Sequence, residues 1–295
     1  MVPCRIVGMR AETHIHVGEG QQDAAIDLPV AREDPSRLPF IPGSGLKGAF
    51  RDAAKAARIC SAKIDTLFGP EQGTPAQAAG SLVFSEVRLL ALPIRSDRAP
   101  YLLVSSPTIL RRFAVDLERC ASDVSRVKDV LEQSRPNRCL AQTEMTARLE
   151  DLRVEFKEQG TVLDELSKLI VEKFAGLDQD RDALAERLVI VHDAIMRWLT
   201  DYALPVRARN VLNEDKVSKN LWYEETLPTD TLMYSLLAPR ADGNLTTLLR
   251  DLRPAAETGS GACFLQIGGN ETVGQGWFRL SLPAAAEGES VGETE

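Results

Sequence analysis

Ile41-Pro-Gly-Ser-Gly-Leu-Lys-Gly-Ala-Phe-Arg51 joins a glycine-rich turn to a helix with one basic edge. Ser44 is placed to cap that helix, and Gly43, Gly45 and Gly48 allow other backbone to approach closely. Leu46, Phe50, Ala53 and Ala57 recur at helical spacing as one apolar stripe. Lys47, Arg51, Lys55 and Arg58 form a second, basic stripe beside it. Free amides at a helix start, the helix dipole and a lysine in the first turn together favour an anion. Taken alone, the stretch reads equally as a solvated amphipathic helix.

Working outward, 295 residues suffice for one large or two small domains. The hydrophobic share of 44% and charged share of 26% are those of a soluble globular protein. No apolar run reaches membrane-spanning length and the start carries no signal segment, so a cytoplasmic protein without membrane contact is expected. Cys4, Cys60, Cys120, Cys139 and Cys263 are odd in number, widely spaced and without a CxxC. That pattern predicts reduced thiols and neither a disulfide framework nor a zinc site.

The net charge of −8 is concentrated. Residues 141–187 carry −5 and residues 284–295 carry −4, leaving the rest at +1. Residues 87–113 hold Arg88, Arg95, Arg98, Arg111 and Arg112 against the single acid Asp97. Local fields govern association, so the acidic total does not exclude RNA as a partner.

Residues 3–17 read as a strand, with His14 and His16 on one face and Ile15 and Val17 on the other. A polar loop of roughly residues 18–43 follows, long enough to be functional. Residues 81–94 and Tyr101–Ser105 read as strands, and a short helix is expected from Ser106-Pro107 to Phe113. The middle is rich in helix formers and predicts a helical insertion, including one helix over residues 177–202. Extended and turn signals return at Pro205, with an exposed hairpin tip near residues 213–220 and a short helix near 243–253. The chain ends in two strands joined by a loop bearing Gly268, Gly269, Gly274 and Gly276, then an acidic tail expected to be disordered.

Several groups could carry chemistry. The glycine loop joins two strands, so it is either a phosphate-binding nest or a plain hairpin turn. Asp27, in Ala-Ile-Asp-Leu-Pro, suits a divalent metal or a proton transfer, or else caps a turn. His14 and His16 suit acid–base or metal roles, or ordinary strand positions. Trp222 and Tyr223 are ring faces for stacking bases unless they belong to the core. Glu224 and Glu225 read as a solvated pair, or one of them positions a metal or water.

Together these segments resemble the RAMP superfamily of CRISPR proteins, and most closely the backbone (fourth) subunits of type III-B, or Cmr, effector complexes. The resemblance rests on THIHVGEG at 13–20, IDLPVARE at 26–33, IPGSGLKGAFRD at 41–52 and LFGPEQG at 67–73. It continues through GSLVFSEVRLLALPIRS at 80–96, SSPTILRRF at 105–113, LWYEETLP at 221–228 and FLQIGGNETVGQGW at 264–277. It implies an α+β fold: a ferredoxin-like, RRM-type core with a helical insertion and a protruding β-hairpin thumb. The implied division is one domain over 1–283, with a palm core of about 1–113 and 226–283, an insertion of about 114–204, a thumb of about 205–225 and the tail 284–295.

The resemblance further implies a filament of copies of the subunit along a guide RNA. Its other partners would be target RNA, a large polymerase-like subunit and a small helical subunit. The palm would grip the guide through Ser44, Lys47, Arg51 and Gly268, Gly269, Gly274 and Gly276, while Trp222 and Tyr223 act on bases. Target RNA would be cut at regular intervals in a reaction dependent on Mg²⁺ or Mn²⁺. Asp27 would be the catalytic and metal-binding residue, with His16 and Glu225 as further catalytic candidates. His14 stands where the family favours proline or a small residue, which leaves its role open. A non-catalytic scaffold, or a metal-independent RNase using His14 or His16, are the other readings.

Overall fold

A computed structural model describes residues 3–71, 78–135, 138–177, 181–240 and 243–282. The acidic tail and the end of the expected 1–283 domain lie outside these residues. The core is assembled from β1 (Arg5–Ala11), α1 (Gly43–Ala56), β4 (Val87–Ile94), β12 (Leu232–Pro239), α8 (Leu245–Leu252) and β14 (Trp277–Leu280). These strands run in the spatial order β14-β1-β12-β4, each antiparallel to its neighbour. A βαββαβ chain with that strand order is the ferredoxin-like arrangement, so the expected core is present.

The sheet grows at both ends. β13 (Cys263–Gln266) pairs with β14 at one edge. β2 (Phe40–Ile41) adds to β4, and β3 (Leu82–Phe84) adds to β12. Beyond β4 come β5 (Leu102–Ser105), β9 (Leu188–Ile190), β6 (Cys139–Ala141), β8 (Leu152–Glu158) and β7 (Met145–Leu149). Helices α2 (Ser61–Phe68), α3 (Pro107–Arg119), α4 (Ser125–Gln133), α5 (Gly160–Lys173), α6 (Arg181–Arg187) and α7 (Asp193–Tyr202) complete the fold. Leu46, Phe50 and Ala54 are the buried face of α1.

The insertion is mixed rather than helical. The expected helix over residues 177–202 is interrupted because Leu188, Val189 and Ile190 are fully buried in β9, parallel to β5. A run of branched apolar side chains suits a strand covered on both faces better than a helix with one wet side. Likewise β7 and β8 occupy part of the expected helical insertion, where Ala147, Leu149, Val154 and Phe156 alternate with exposed residues. Strand β1 ends at Ala11, the chain bends at residues 12–13, and Ile15 and Gly18 then make isolated bridges to Leu227 and Val30. Helix α3 runs on past Phe113 to Arg119.

The cysteine expectation is also corrected. Cys4 and Cys120 are joined in a disulfide, Cα atoms 4.8 Å apart, across 116 residues of sequence. Folding β1 alongside the end of α3 creates that proximity, which sequence spacing does not reveal. Cys60, Cys139 and Cys263 are free. No helix of the described residues is long and apolar enough to cross a membrane.

Strands β10 (Val206–Leu212) and β11 (Ser218–Glu225) form a separate two-stranded hairpin. Its outer part is exposed, including Val211, Leu212, Val217 and Leu221. Apolar side chains concentrated on a protruding element mark a surface that is covered in an assembly.

Candidate nucleic-acid interface

The loop carrying Asp27 is laced onto the base of the hairpin. Leu28 N–H donates to the Tyr223 carbonyl at 3.0 Å, and Glu225 N–H donates to the Leu28 carbonyl at 3.0 Å. The Asp27 carboxylate accepts from the Tyr223 backbone N–H at 2.7 Å through one oxygen, Oδ2. Asp27 is half-buried and the Tyr223 side chain is exposed. Asp27 therefore stands at the hairpin edge beside an open aromatic ring.

His16 is drawn to the same place. Its Nδ1 lies 2.8 Å from the Glu225 carbonyl, which fixes the proton on Nδ1 and leaves Nε2 as the unprotonated nitrogen of the neutral ring. That Nε2 lies against Gly18, in the loop leading to Asp27. Glu225 itself is turned inward and 2% exposed. Its carboxylate accepts from Arg32 Nη2 at 2.7 Å and from Val30 N–H at 3.0 Å. Both oxygens are committed inside the protein, so Glu225 does not present a carboxylate to RNA.

Glu224 is buried as well, correcting the solvated-pair reading. It accepts from Trp222 Nε1 at 2.9 Å, Asn270 Nδ2 at 2.8 Å and Arg209 Nε at 3.0 Å. Desolvation works to raise its pKa, but these three donors outweigh it and hold the carboxyl below its ordinary value. Trp222 is thus half-buried with its indole N–H engaged, unlike its exposed neighbour Tyr223. His14 Nε2 meets Arg207 Nη2 at 2.7 Å; burial, then the Arg207 charge, lowers its pKa below 6.5.

The glycine loop is a structural connection more than a nest. Gly269 and Gly276 donate their N–H groups to the carbonyls of His16 and His14, each at 2.9 Å, and Gly274 donates to Glu271 at 2.9 Å. Three of its four glycine amides are therefore already bonded. Gly268 has φ +93°, and a Cβ there would sit 2.3 Å from the His16 carbonyl. The loop needs glycine at 268 to lie against the His14–His16 segment.

On the other side, Gly45 and Gly48 of α1 and Gly268 line one groove of about 710 Å³. Asp52, Glu257 and Glu271 line it too, so a phosphate is disfavoured along its length. Lys47 makes no hydrogen bond or ion pair to a described residue and keeps its ammonium available. Arg51 is differently employed: it donates to the carbonyls of Phe68 and Gly69 and lies over the Phe68 ring at 5.8 Å. It closes the end of α2. Ser44 does not cap α1, whose N-cap is Pro42 without a side-chain bond; Ser44 lies exposed in the first turn.

The arginines of residues 87–113 are likewise engaged. Arg88 pairs with Asp116, Arg95 with Glu150, Arg111 with Asp193 and Arg112 with Glu33, and Arg98 donates to the Thr146 carbonyl. Residues that sequence reading passed over hold the site together: Arg32, Glu19, Arg209 and Asn270. Arg32 and Glu19 both lie inside quoted motifs, but no local spacing ties Arg32 to Glu225, 193 residues away.

Comparison with known proteins agrees with this architecture. The chain is 30% identical over 293 residues to the CRISPR system Cmr endoribonuclease Cmr4 of Pyrococcus furiosus, covering 94% of this chain and 95% of that protein. It superposes on oligomeric Cmr4 from Pyrococcus furiosus with a TM-score of 0.75 at 25% identity, covering 97% of this chain and 100% of that one. A chain of the type III-B Cmr-beta complex bound to cognate target RNA gives 0.75 at 23% identity, covering 94% and 96%, and shares the fold. The RAMP superfamily pattern matches residues 9–279, and with a ferredoxin-like core, a separate hairpin and a glycine loop bonded to the His14–His16 segment, this chain belongs to the RAMP superfamily.

Proposed function

We propose that this protein is the RNA-cleaving backbone subunit of a type III-B (Cmr) CRISPR ribonucleoprotein. It assembles with copies of itself and other Cmr subunits along a guide RNA, and cuts complementary target RNA at regular intervals. The observation that carries the reading is the Asp27 carboxylate, held at the root of an exposed hairpin by Tyr223 N–H. The full-length likeness to an endoribonuclease supports it.

The reaction assigned to the site is in-line attack of a ribose 2′-hydroxyl on the adjacent phosphate. An exposed hairpin that splays a nucleotide supplies the alignment, which is worth a large share of such a barrier. Among the described residues no group of three or more acidic, His or Cys side chains converges on one point. One carboxylate with an uncommitted oxygen fits a Mg²⁺ or Mn²⁺ ion that keeps several waters and is completed by RNA phosphate. Asp27 would hold it, and the ion would offset charge on the phosphate. His16 is fixed by Glu225 near the same loop and supports the shape of the site.

The test is target cleavage by the reconstituted, guide-loaded complex carrying Asp27→Ala. Loss of cleavage with target binding retained is the expected result. Undiminished cleavage removes Asp27 from catalysis and leaves a scaffold subunit.

A further inference from the structure

We propose that Arg32 and Glu225 are a positioning pair for the cleavage reaction, resting on the assignment of Asp27 as its catalytic carboxylate. The Asp27 segment joins β11 by two backbone bonds flanking Leu28, and then the ladder stops. Pro29 has no N–H to continue it. At the next residue the Glu225 side chain takes the place of a backbone acceptor and receives Val30 N–H at 3.0 Å. Arg32 then reaches back to the other oxygen of the same carboxylate at 2.7 Å.

Glu225 thus uses all its polar groups on the site's supports. Its N–H binds Leu28, its carbonyl binds His16, and its carboxylate binds Val30 and Arg32. Arg32 is fastened from behind by Glu19, which accepts its backbone N–H at 2.9 Å, and by the Arg37 carbonyl at 3.3 Å. Asp201 at the end of α7 stands 3.9 Å from the guanidinium. Two side chains 5% and 3% exposed have given up hydration, and such a pair is a poor source of net stability. What it does provide is a single register between the Asp27 loop and β11. Without it, the loop beyond Leu28 loses its side-chain tie to β11, and a displacement of Asp27 by about 1 Å costs on the order of 100-fold in rate.

Reconstituted guide-loaded complexes carrying Glu225→Ala, Glu225→Gln, Arg32→Met and the double variant Arg32→Met/Glu225→Met provide the test, beside Asp27→Asn. Single-turnover cleavage and target affinity are measured for each. Glu225→Ala and Arg32→Met are expected to lose about 10- to 100-fold in rate with target affinity kept. Glu225→Gln keeps one carbonyl oxygen, which accepts from Val30 or from Arg32 but not from both, while its NH2 meets the other donor, so it should recover only part of that loss. The double variant replaces the pair by apolar side chains and keeps the fold testable if the single variants do not assemble; it should be no slower than Arg32→Met. Rates within twofold of wild type in the variants overturn the proposal. So does a loss of target affinity that matches the loss of rate, which would make the pair a general structural support. If Asp27→Asn cleaves normally, the functional assignment itself fails; if it is inactive while the Arg32 variants are normal, only the positioning pair fails.

Discussion

The Asp27 carboxylate accepts a 2.7 Å hydrogen bond from the backbone N–H of Tyr223, 196 residues away. One bond therefore ties the N-terminal loop to the hairpin that the fold pushes into solvent. It uses one oxygen, and it orients the other without consuming it. Asn at position 27 can make the same bond with its carbonyl oxygen, so Asp27→Asn separates geometry from charge.

Asp27→Asn is expected to leave thermal stability within about 0.5 kcal/mol of wild type, as for a half-exposed isostere. Cleavage by the loaded complex should fall by at least about 100-fold, because a neutral amide binds a divalent ion far more weakly than a carboxylate and does not accept a proton. Rate and melting temperature measured on one preparation check both halves.

Lys47 and Arg51 share a helix face, but only Arg51 is bonded to carbonyls at the end of α2. Lys47→Glu should weaken guide binding for every guide sequence, and Lys47→Ala should lower the slope of log affinity against log salt by about 1. Arg51→Ala should instead destabilise the protein by about 1–3 kcal/mol, since it removes charge-assisted bonds to Phe68 and Gly69 at the end of α2. Guide binding across a salt series, together with urea unfolding, distinguishes the two; equal effects of Arg51→Ala and Lys47→Ala on the salt slope would restore Arg51 to the grip.

Much of this architecture was legible from sequence where signals are local. Alternation and turn residues marked β3, β4, β5, β13, β14 and the β10–β11 hairpin, and the glycine-lysine segment marked α1. The insertion was misread because Leu188-Val-Ile falls between two genuine helices and fits the same apolar period as both. At the site, sequence pointed to Asp27, His16 and Glu225, and the fold does bring them together. What each does there was not legible. Whether a carboxylate faces RNA or Arg32 depends on which side of β11 meets the Asp27 loop. That is settled by pairings across roughly two hundred residues, not by spacing. The intramolecular bonds of Arg51 were not legible for the same reason, since its carbonyl acceptors lie at the end of a different helix.

Glu224 makes stability depend on acid in a defined direction. Its pKa in the folded protein lies below the ordinary glutamate value of 4.5, so its contribution is fully present above that value and is lost as pH falls through the folded pKa. Glu224→Gln should therefore cost about 1–3 kcal/mol at pH 7. The gap to wild type should narrow steadily below about pH 4.5. Urea unfolding of both proteins at pH 7 and at progressively lower pH reads the difference, in which the other carboxylates cancel. A gap that stays constant with pH would mean that Trp222, Asn270 and Arg209 do not hold the charged form.

Gly268 and Gly269 are neighbours with opposite requirements. A side chain at Gly268 would meet the His16 carbonyl at 2.3 Å, in a backbone conformation of φ +93° that L residues resist. Gly268→Ala should displace the loop from the His14–His16 segment and lower stability by roughly 1–3 kcal/mol, with cleavage suffering through His16. At Gly269 no positive φ is required, and the nearest atom to an added Cβ is His16 Cδ2 at 3.5 Å, an ordinary contact. Gly269→Ala should therefore fold normally. Any loss of guide affinity in that variant measures how closely RNA backbone passes over the exposed face of the loop. If Gly269→Ala and wild type hold the guide equally well, with melting temperatures matched, the guide does not lie against Gly269, and the loop's glycines serve its packing on the His14–His16 segment.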